Sequence, residues 1–169
     1  MSFNIIRNDI TKLHVDAIVN AANTSLQMGG GVCGAIFNAA GADRLQNACS
    51  NLAPIKTGEA VVTKGFNLPA KFIIHAAGPV YRDGLHDEEA LLRSCYIQSL
   101  ELAVKYNCES VAFPLISSGI YGYPKDEALR VAIAAIRDFI SEHEIDVSLV
   151  VFDKETLTAS EELFGSVKS

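Results

Sequence analysis

The sequence predicts a layered α/β domain, because short apolar stretches typical of strands alternate with longer amphipathic stretches typical of helices. The chain has 169 residues, 49% of them hydrophobic, and it contains no low-complexity linker or internal repeat. This length and composition suit one domain with a sizeable core. We therefore expect a single domain over residues 1–169, built on a sheet of six strands.

Six apolar stretches are predicted to form the strands of this sheet. They are Phe3–Ile6, Ala17–Asn20, Ala60–Thr63, Phe72–Ala76, Ser110–Pro114 and Val147–Phe152. The last four are short and apolar enough to be central or nearly central in the sheet.

Two long stretches between the strands have the periodicity of helices that bury one face. Apolar residues recur at three- and four-residue spacing from Leu91 to Ala103 and again from Leu129 to Ile140. Acidic residues stand before or at the start of both stretches, where the helix dipole is positive. Two amphipathic helices are therefore expected here.

Composition and charge limit the classes of partner. The chain carries 14 basic and 20 acidic residues, a net charge of −6, which argues against broad binding to nucleic acid. No apolar run approaches the roughly 20 residues that span a bilayer, and the first residues lack a secretory pattern. The four cysteines show no CxxC spacing, and no histidine stands at ligand spacing from them. We expect a monomeric cytoplasmic protein without membrane binding, a disulfide framework or a metal site.

The most informative segment runs from Val15 to Gly41. An apolar strand ends in two asparagines, Asn20 and Asn23, and is followed by the triple glycine Gly29–Gly31 and a helix of small residues. Glycines allow a ligand to approach the backbone closely, and the first N–H groups of a helix attract anions. The segment therefore predicts a local site for phosphate, with both asparagines at the edge of the sheet.

A second loop has similar chemistry. Ligands of open α/β sheets bind outside the carboxyl ends of the strands, and the loop from Ser117 to Gly122 follows the fifth predicted strand with hydroxyls, glycines and an aromatic residue before a helix. It offers a second set of N–H donors. Two facing donor loops suit a diphosphate.

A dinucleotide-binding unit is an alternative explanation of Gly29, Gly31 and Gly34, which match the pattern G-x-G-x-x-G. In that unit the first glycine follows the strand directly, and an acidic residue ends the next strand. Here five residues, Thr24–Met28, intervene, and that acidic residue is absent. The context therefore argues against this alternative.

Taken together, five motifs resemble the macrodomain family over a match that runs from about Asn4 to about Phe164. They are Asn8–Thr11, Val15–Asn23, Gly29–Val32, Ile74–Pro79 and Ser117–Pro124. The resemblance implies a three-layer α/β/α sandwich around a central mixed, mostly parallel six-stranded sheet. It also implies ADP-ribose as ligand or product, without a cofactor.

The resemblance also implies roles for individual residues. Asp9 would accept the adenine amino group, Ile10 would supply a backbone contact, Phe152 would stack on adenine and Asn23 would meet the distal ribose. The two glycine-rich loops would enclose the diphosphate. The full set of expected ligand-binding residues is Asp9, Ile10, Ala22, Asn23, Gly30, Gly31, Val32, Ser117, Ser118, Gly119, Ile120, Tyr121 and Phe152.

One departure bears on activity. Hydrolytic macrodomains of the common kind have Asp where this chain has Cys33 and His where it has Phe37. The Gly-Val-Cys sequence instead resembles the alphavirus macrodomains, which are associated with removal of ADP-ribose from acidic side chains. We take Asn23, Gly31 and Cys33 as the expected catalytic residues, with a positioned water as the attacking group.

Two functions follow from this resemblance. The first is a mono-ADP-ribosyl hydrolase that acts on acidic side chains, and it could also deacetylate O-acetyl-ADP-ribose. The second is a non-catalytic reader module. In both cases the expected partners are ADP-ribose and mono-ADP-ribosylated protein.

Several of the residues singled out also have plain structural interpretations. Cys33 could be a buried packing residue, Asp9 could cap a turn, and Phe152 could belong to the core. Ser117 and Ser118 could be turn formers. A further histidine, His75, lies within an apolar strand, where a hydrogen-bonded core residue is expected rather than a catalytic one.

Overall fold

The computed structural model describes residues 2–164, and its six strands form one mixed sheet in the order β1-β6-β5-β2-β4-β3. The strands are β1 Ser2–Arg7, β2 Ala17–Ala22, β3 Ala60–Lys64, β4 Phe72–Ala77, β5 Ser110–Pro114 and β6 Asp146–Val151. Every pairing is parallel except that of β3 with β4. The mixed, mostly parallel sheet is thus confirmed. Positions 1 and 165–169 of the expected domain lie outside the described residues.

Five α-helices and one short 3-10 helix, Ile10–Lys12, accompany the strands in the described part of the chain, and the last helix follows β6. The α-helices are α1 Gly31–Ala40, α2 Ala42–Ser50, α3 Glu88–Lys105, α4 Lys125–Ile140 and α5 Lys154–Phe164. The predicted periodic stretches correspond to α3 and α4. Neither α2 nor α5 was predicted, because each buries few large apolar side chains to mark a core-facing stripe.

Alternation of side chains along the strands builds a separate core on each face of the sheet. Val19 and Ile74 pack with residues of α3 and α4. Their neighbours Ile18 and Ile73 pack with residues of α1 and α2 on the other face. Successive strand residues point to opposite faces, so one central sheet serves both cores. The three-layer α/β/α arrangement is confirmed.

The expected position of the third strand was wrong. Ala60–Thr63 was expected at or near the centre, but β3 lies at the edge of the sheet and pairs only with β4, in the antiparallel sense. Its residues Ala60, Val61 and Val62 are only half-buried. The residues of β3 are apolar because the strand contacts helices α2 and α3, and not because it is central in the sheet.

The parallel strands bring the functional loops to one edge of the sheet. Because β1, β2, β4, β5 and β6 run in the same direction, the segments that follow them all emerge at the carboxyl edge. None of the described helices is both long and apolar enough to cross a membrane.

Candidate functional site

The triple glycine forms an open turn at the start of α1. Gly31 has a φ of +56°, a conformation that favours glycine. A Cβ atom on Gly30 or Gly31 would meet no atom within 4 Å, whereas one on Gly34 would lie 2.7 Å from the carbonyl oxygen of Gly29. No side chain caps α1. Open space therefore lies over the helix N-terminus, whose free N–H groups can bind an anion.

Asn23 organises the loop between β2 and this turn. Its Oδ1 accepts hydrogen bonds from Ser25 Oγ at 2.8 Å and from the backbone N–H of Gln27 at 3.0 Å. Its Nδ2 donates to the carbonyl of Gln27 at 2.9 Å. A primary amide has two N–H groups, so one remains for a ligand. The contact with a distal ribose stays a prediction, and the structure adds a role in folding the loop.

Cys33 lies in the first turn of α1, only 6% exposed, beneath the glycine turn. Its Sγ is 3.6 Å from Nδ2 of Asn20 and 3.8 Å from the carbonyl oxygen of Gln27. Neither partner carries a positive charge that would favour a thiolate. The surroundings suit a buried thiol that shapes the floor of the site. All four cysteines are buried and free.

Asn20 was expected at the sheet edge, and this expectation was wrong. The residue lies within β2, is wholly buried, and has its Nδ2 3.0 Å from Nδ1 of His75 in β4. The other ring nitrogen of His75 lies 2.9 Å from Thr63 Oγ1. Burial lowers the pKa of His75 to about 4, so the ring is neutral near pH 7. His75 is thus the hydrogen-bonded core histidine that the sequence predicts.

The second glycine-rich loop is held by backbone contacts. Ser117 has a φ of +67°, and its carbonyl accepts a hydrogen bond from the N–H of Tyr123 at 2.9 Å. The Oγ of Ser117 is buried without a partner. Ser118 donates to the carbonyl of Leu115 at 2.9 Å, as expected of a turn former. Ile120 is 92% exposed at the tip of the loop. Contacts of this loop with a diphosphate stay a prediction.

Asp9 and Phe152 follow the neighbouring strands β1 and β6. Asp9 caps the 3-10 helix, since its Oδ1 accepts from the N–H of Thr11 at 3.0 Å and from the Thr11 hydroxyl at 2.6 Å. These two bonds lower the pKa of Asp9, and both use the same oxygen. Phe152 is 84% exposed, so the alternative that it belongs to the core was wrong. The side chain of Ile10 is buried and its carbonyl accepts a hydrogen bond from the N–H of Leu13, and a contact of its backbone with a ligand stays a prediction.

The strand order arranges these groups in a line. Asp9 and Phe152 follow β1 and β6, the Ser117 loop follows β5, and the glycine turn follows β2. Neighbouring strands are about 4.8 Å apart, so the line extends about 14 Å along the carboxyl edge. An exposed aromatic ring and a carboxylate stand at one end, and two N–H-rich loops stand next to them. The arrangement suits an extended ligand with an aromatic base and a diphosphate.

The structural role of Glu88, the first residue of α3, was not predicted. Its buried carboxylate accepts four backbone N–H groups: Oε2 accepts from Arg82, Asp83 and Gly84, and Oε1 from His86. These bonds lower the pKa of Glu88 to about 2. In the sequence, Glu88 follows the glycine-containing stretch YRDGLHD, which could have indicated a loop held by a carboxylate. This residue was expected only to complement the helix dipole.

The chain is similar in sequence and structure to proteins of one known family. A family model described as "Macro domain" matches residues 19–132. A macro domain-containing protein of Chlorobaculum tepidum is 53% identical over 147 residues, which are 87% of this chain and 84% of the relative. A protein of Escherichia fergusonii named O-acetyl-ADP-ribose deacetylase is 46% identical over 158 residues, 90% of this chain and 89% of the relative. A mutant of the Oceanobacillus iheyensis macrodomain, solved with ADP-ribose (ADPR), has a TM-score of 0.89 and 41% identity. That match covers 94% of this chain and 89% of the solved one.

Proposed function

The chain belongs to the Macro domain family, and on that premise we propose that it binds ADP-ribose and removes it from acidic side chains of mono-ADP-ribosylated proteins. The observation that carries the proposal is the line of groups along the carboxyl edge. In it the Asp9 carboxylate, the exposed Phe152 ring and two N–H-rich loops follow neighbouring strands. The ADP-ribose in the Oceanobacillus structure supports the choice of ligand.

Each part of ADP-ribose would bind to a different group along this line. The adenine amino group donates to the free oxygen of Asp9, and the base stacks on Phe152. The diphosphate accepts from backbone N–H groups of the glycine turn and of the Ser117 loop. With a net charge of −6 on the chain, these local dipoles, rather than the overall charge, hold the anion.

Catalysis in this proposal needs a positioned water and no cofactor. Asn23, the glycine turn and a ligand phosphate would hold the water beside the anomeric carbon of the distal ribose. The water oxygen bonds to that carbon, the bond to the ester oxygen breaks with its electrons, and the carboxylate leaves. The water proton passes to a phosphate oxygen. Positioning of this kind supplies several kcal/mol of a barrier, roughly 7–11 in the best cases.

A second ester substrate has its own support. The Escherichia fergusonii relative is named O-acetyl-ADP-ribose deacetylase and covers nine-tenths of this chain. In that substrate the ester joins an acetyl group to ADP-ribose, so the same nucleotide contacts would bring it to the site. Deacetylation would then be a second hydrolysis in one pocket.

The competing proposal is a reader module without turnover. Cys33 favours it, since this thiol is buried and its polar partners are an amide and a carbonyl. Such surroundings are typical of a packing residue rather than of a reactive cysteine. The two proposals differ in whether the wild-type protein releases ADP-ribose.

The deciding experiment measures release of ADP-ribose from a protein modified on glutamate. We expect turnover by the wild type and by Cys33→Ala, because the thiol neither attacks nor abstracts a proton. Asn23→Asp should keep the loop bonds accepted by Oδ1 but lose the amide N–H groups, and we expect a roughly 100-fold loss of turnover.

Two outcomes would contradict the catalytic proposal. Loss of turnover in Cys33→Ala with unchanged ADP-ribose affinity would indicate a working thiolate. No release by stoichiometric wild-type protein would leave the reader module. Cys95→Ala, another buried thiol outside the site, controls for a general effect of removing a sulfur.

A further inference from the structure

A second cleft opens at the carboxyl edge, between the first turns of α3 and α4. It has a volume of about 400 Å³ and is lined by Tyr81, Gly84, Glu89, Tyr123, Glu127 and Arg130. None of these residues is among the expected ADP-ribose contacts. We call this the tyrosine cleft.

Two aromatic rings with unused polar tips form its wall. Tyr81 and Tyr123 pack edge to face, with centroids 4.9 Å apart. Tyr123 is only 4% exposed, yet its hydroxyl has no hydrogen-bond partner among the described residues. Gly84 has a φ of +82°, and a Cβ there would lie 3.1 Å from the Tyr81 hydroxyl. The ring of Tyr123 is buried, but its hydroxyl reaches the open space of the cleft, where it can bond to a ligand atom.

The charge of the cleft favours a cation. Glu89 and Glu127 line it. Burial first, and then the charges of Glu127, Glu88 and Asp83, raise the pKa of Tyr81. Burial first, and then chiefly Glu89 and Glu127, raise the pKa of Tyr123 to about 12, so its hydroxyl stays protonated. Arg130 in the cleft offsets one negative charge. The helix dipoles at the start of α3 and α4 are compensated by the acidic first turns.

The cleft is preorganised and continuous with the nucleotide site. Glu88 fixes the backbone from Arg82 to His86 through its four accepted hydrogen bonds. The N–H of Tyr81 donates to the carbonyl of Tyr121 at 2.8 Å, so the cleft wall is bonded directly to the Ser117–Gly122 loop. An occupant of the cleft would therefore lie beside a molecule held by that loop.

We propose that the tyrosine cleft binds a lysine or arginine side chain of the ADP-ribosylated protein whose modified residue occupies the neighbouring site. The inference rests on the proposed binding of ADP-ribose. The cationic N–H groups donate to the Tyr123 hydroxyl and to the carboxylates of Glu89 and Glu127, and the cation lies against the tyrosine rings. The cleft thereby selects modified sites that have a basic residue nearby.

Two peptides test this selection. Each carries ADP-ribose through a non-hydrolysable linkage, one flanked by lysines and the other by glutamines. We expect the wild type to bind the lysine peptide about tenfold more tightly in low salt, and the difference to shrink in 0.5 M salt, where charges are screened beyond about 4 Å. Tyr123→Phe keeps the ring and removes the hydroxyl, so it should reduce the preference about threefold.

Matched charge variants localise the effect. The double variant E89Q/E127Q should bind both peptides equally. The control E142Q/E144Q changes the net charge by the same amount at exposed positions between α4 and β6, at the opposite edge, and should keep the preference. Free ADP-ribose should bind all of these variants with wild-type affinity.

The outcomes separate the two proposals. Equal binding of both peptides by the wild type, or an unchanged preference in E89Q/E127Q, would overturn the cleft assignment while ADP-ribose binding stands. Loss of the preference in E142Q/E144Q would show that the preference for the lysine peptide depends on net charge, and it would overturn the assignment as well. If neither peptide nor free ADP-ribose binds, the proposed function fails and the cleft assignment falls with it. Because only binding is measured, a reader without turnover leaves the test valid.

Discussion

At the scale of the residue, Asp9 combines a structural contact with a predicted ligand contact. Its Oδ1 caps the 3-10 helix through two bonds to Thr11, and Oδ2 takes no part in them. The capping alternative and the binding role are therefore compatible. One carboxylate can close a turn and still accept a hydrogen bond from adenine.

Replacement of Asp9 by alanine should weaken binding of ADP-ribose about tenfold or more, because a hydrogen bond to a charged group contributes about 1.5–3 kcal/mol. Titration calorimetry measures the change. Thr11→Val is the control, since it removes a capping bond and keeps the carboxylate. Equal weakening in both variants would assign the effect to the turn rather than to adenine.

Two asparagines show where prediction of the site from sequence ends. Asn20 and Asn23 stand three residues apart and both were expected at the edge of the sheet, but Asn20 is buried against His75 on the adjacent strand β4. That contact depends on which strands are neighbours and in what register, which local sequence does not reveal. Glycine and turn chemistry, by contrast, is local, so the positions of the glycine turn and the Ser117 loop were predictable.

At the scale of the element, α1 depends on a glycine whose backbone and free space both matter. Gly31 begins the helix at a φ of +56°, with no atom within 4 Å of the place that a Cβ would occupy. The left-handed conformation costs other residues roughly 1–2 kcal/mol. The open space is where the diphosphate or distal ribose is proposed to lie.

Gly31→Glu should therefore abolish binding of ADP-ribose, because it places bulk and a negative charge against an anion. It should also lower the free energy of unfolding by about 1 kcal/mol through backbone strain. Gly31→Ala is the matched control, with the same strain but little bulk and no charge, and should keep measurable binding. Calorimetry and denaturant unfolding provide both quantities. Normal binding by Gly31→Glu would show that the anion site lies elsewhere.

Strands and amphipathic helices were predictable to within a few residues, whereas the neighbours of each strand were not. The apolar stretch Ala60–Thr63 correctly predicted β3, but its burial comes from helices and led to the wrong place in the sheet. The short α2 buries only Leu45 and Cys49. Two buried apolar residues in a stretch of nine residues are too few to identify a helix from the sequence.

At the scale of the whole molecule, the two cores on opposite faces of the sheet differ in polarity. The α3 and α4 side is mostly apolar, and its buried hydroxyls include those of Tyr96 and Ser99 on α3. On the α1 and α2 side, apolar residues surround a buried polar group made of Asn20, His75 and Thr63. The glycine turn of the site leads directly into α1 on this second side. Folding of that layer is therefore linked to the protonation of His75.

This linkage predicts a loss of stability in mild acid. His75 has a pKa of about 4 when folded, against 6.5 as its ordinary value, so below pH 6.5 the unfolded chain takes up a proton that the folded chain does not. Stability is complete above pH 6.5, falls as the pH drops toward 4, and then levels off for this group. The pKa shift of His75 corresponds to a loss of about 3 kcal/mol in the free energy of unfolding.

Denaturant unfolding at several pH values measures this change, and His75→Gln should remove most of it. The carboxylates with lowered pKa, such as Glu88, act in a lower window, below their ordinary pKa values of about 4, so the decline from about pH 6.5 to about 4.5 belongs to the histidine. His14→Gln, at an exposed position, should keep the wild-type profile. If His75→Gln declines as steeply as the wild type, another group controls the acid sensitivity, and the buried polar cluster does not couple the α1 and α2 layer to pH.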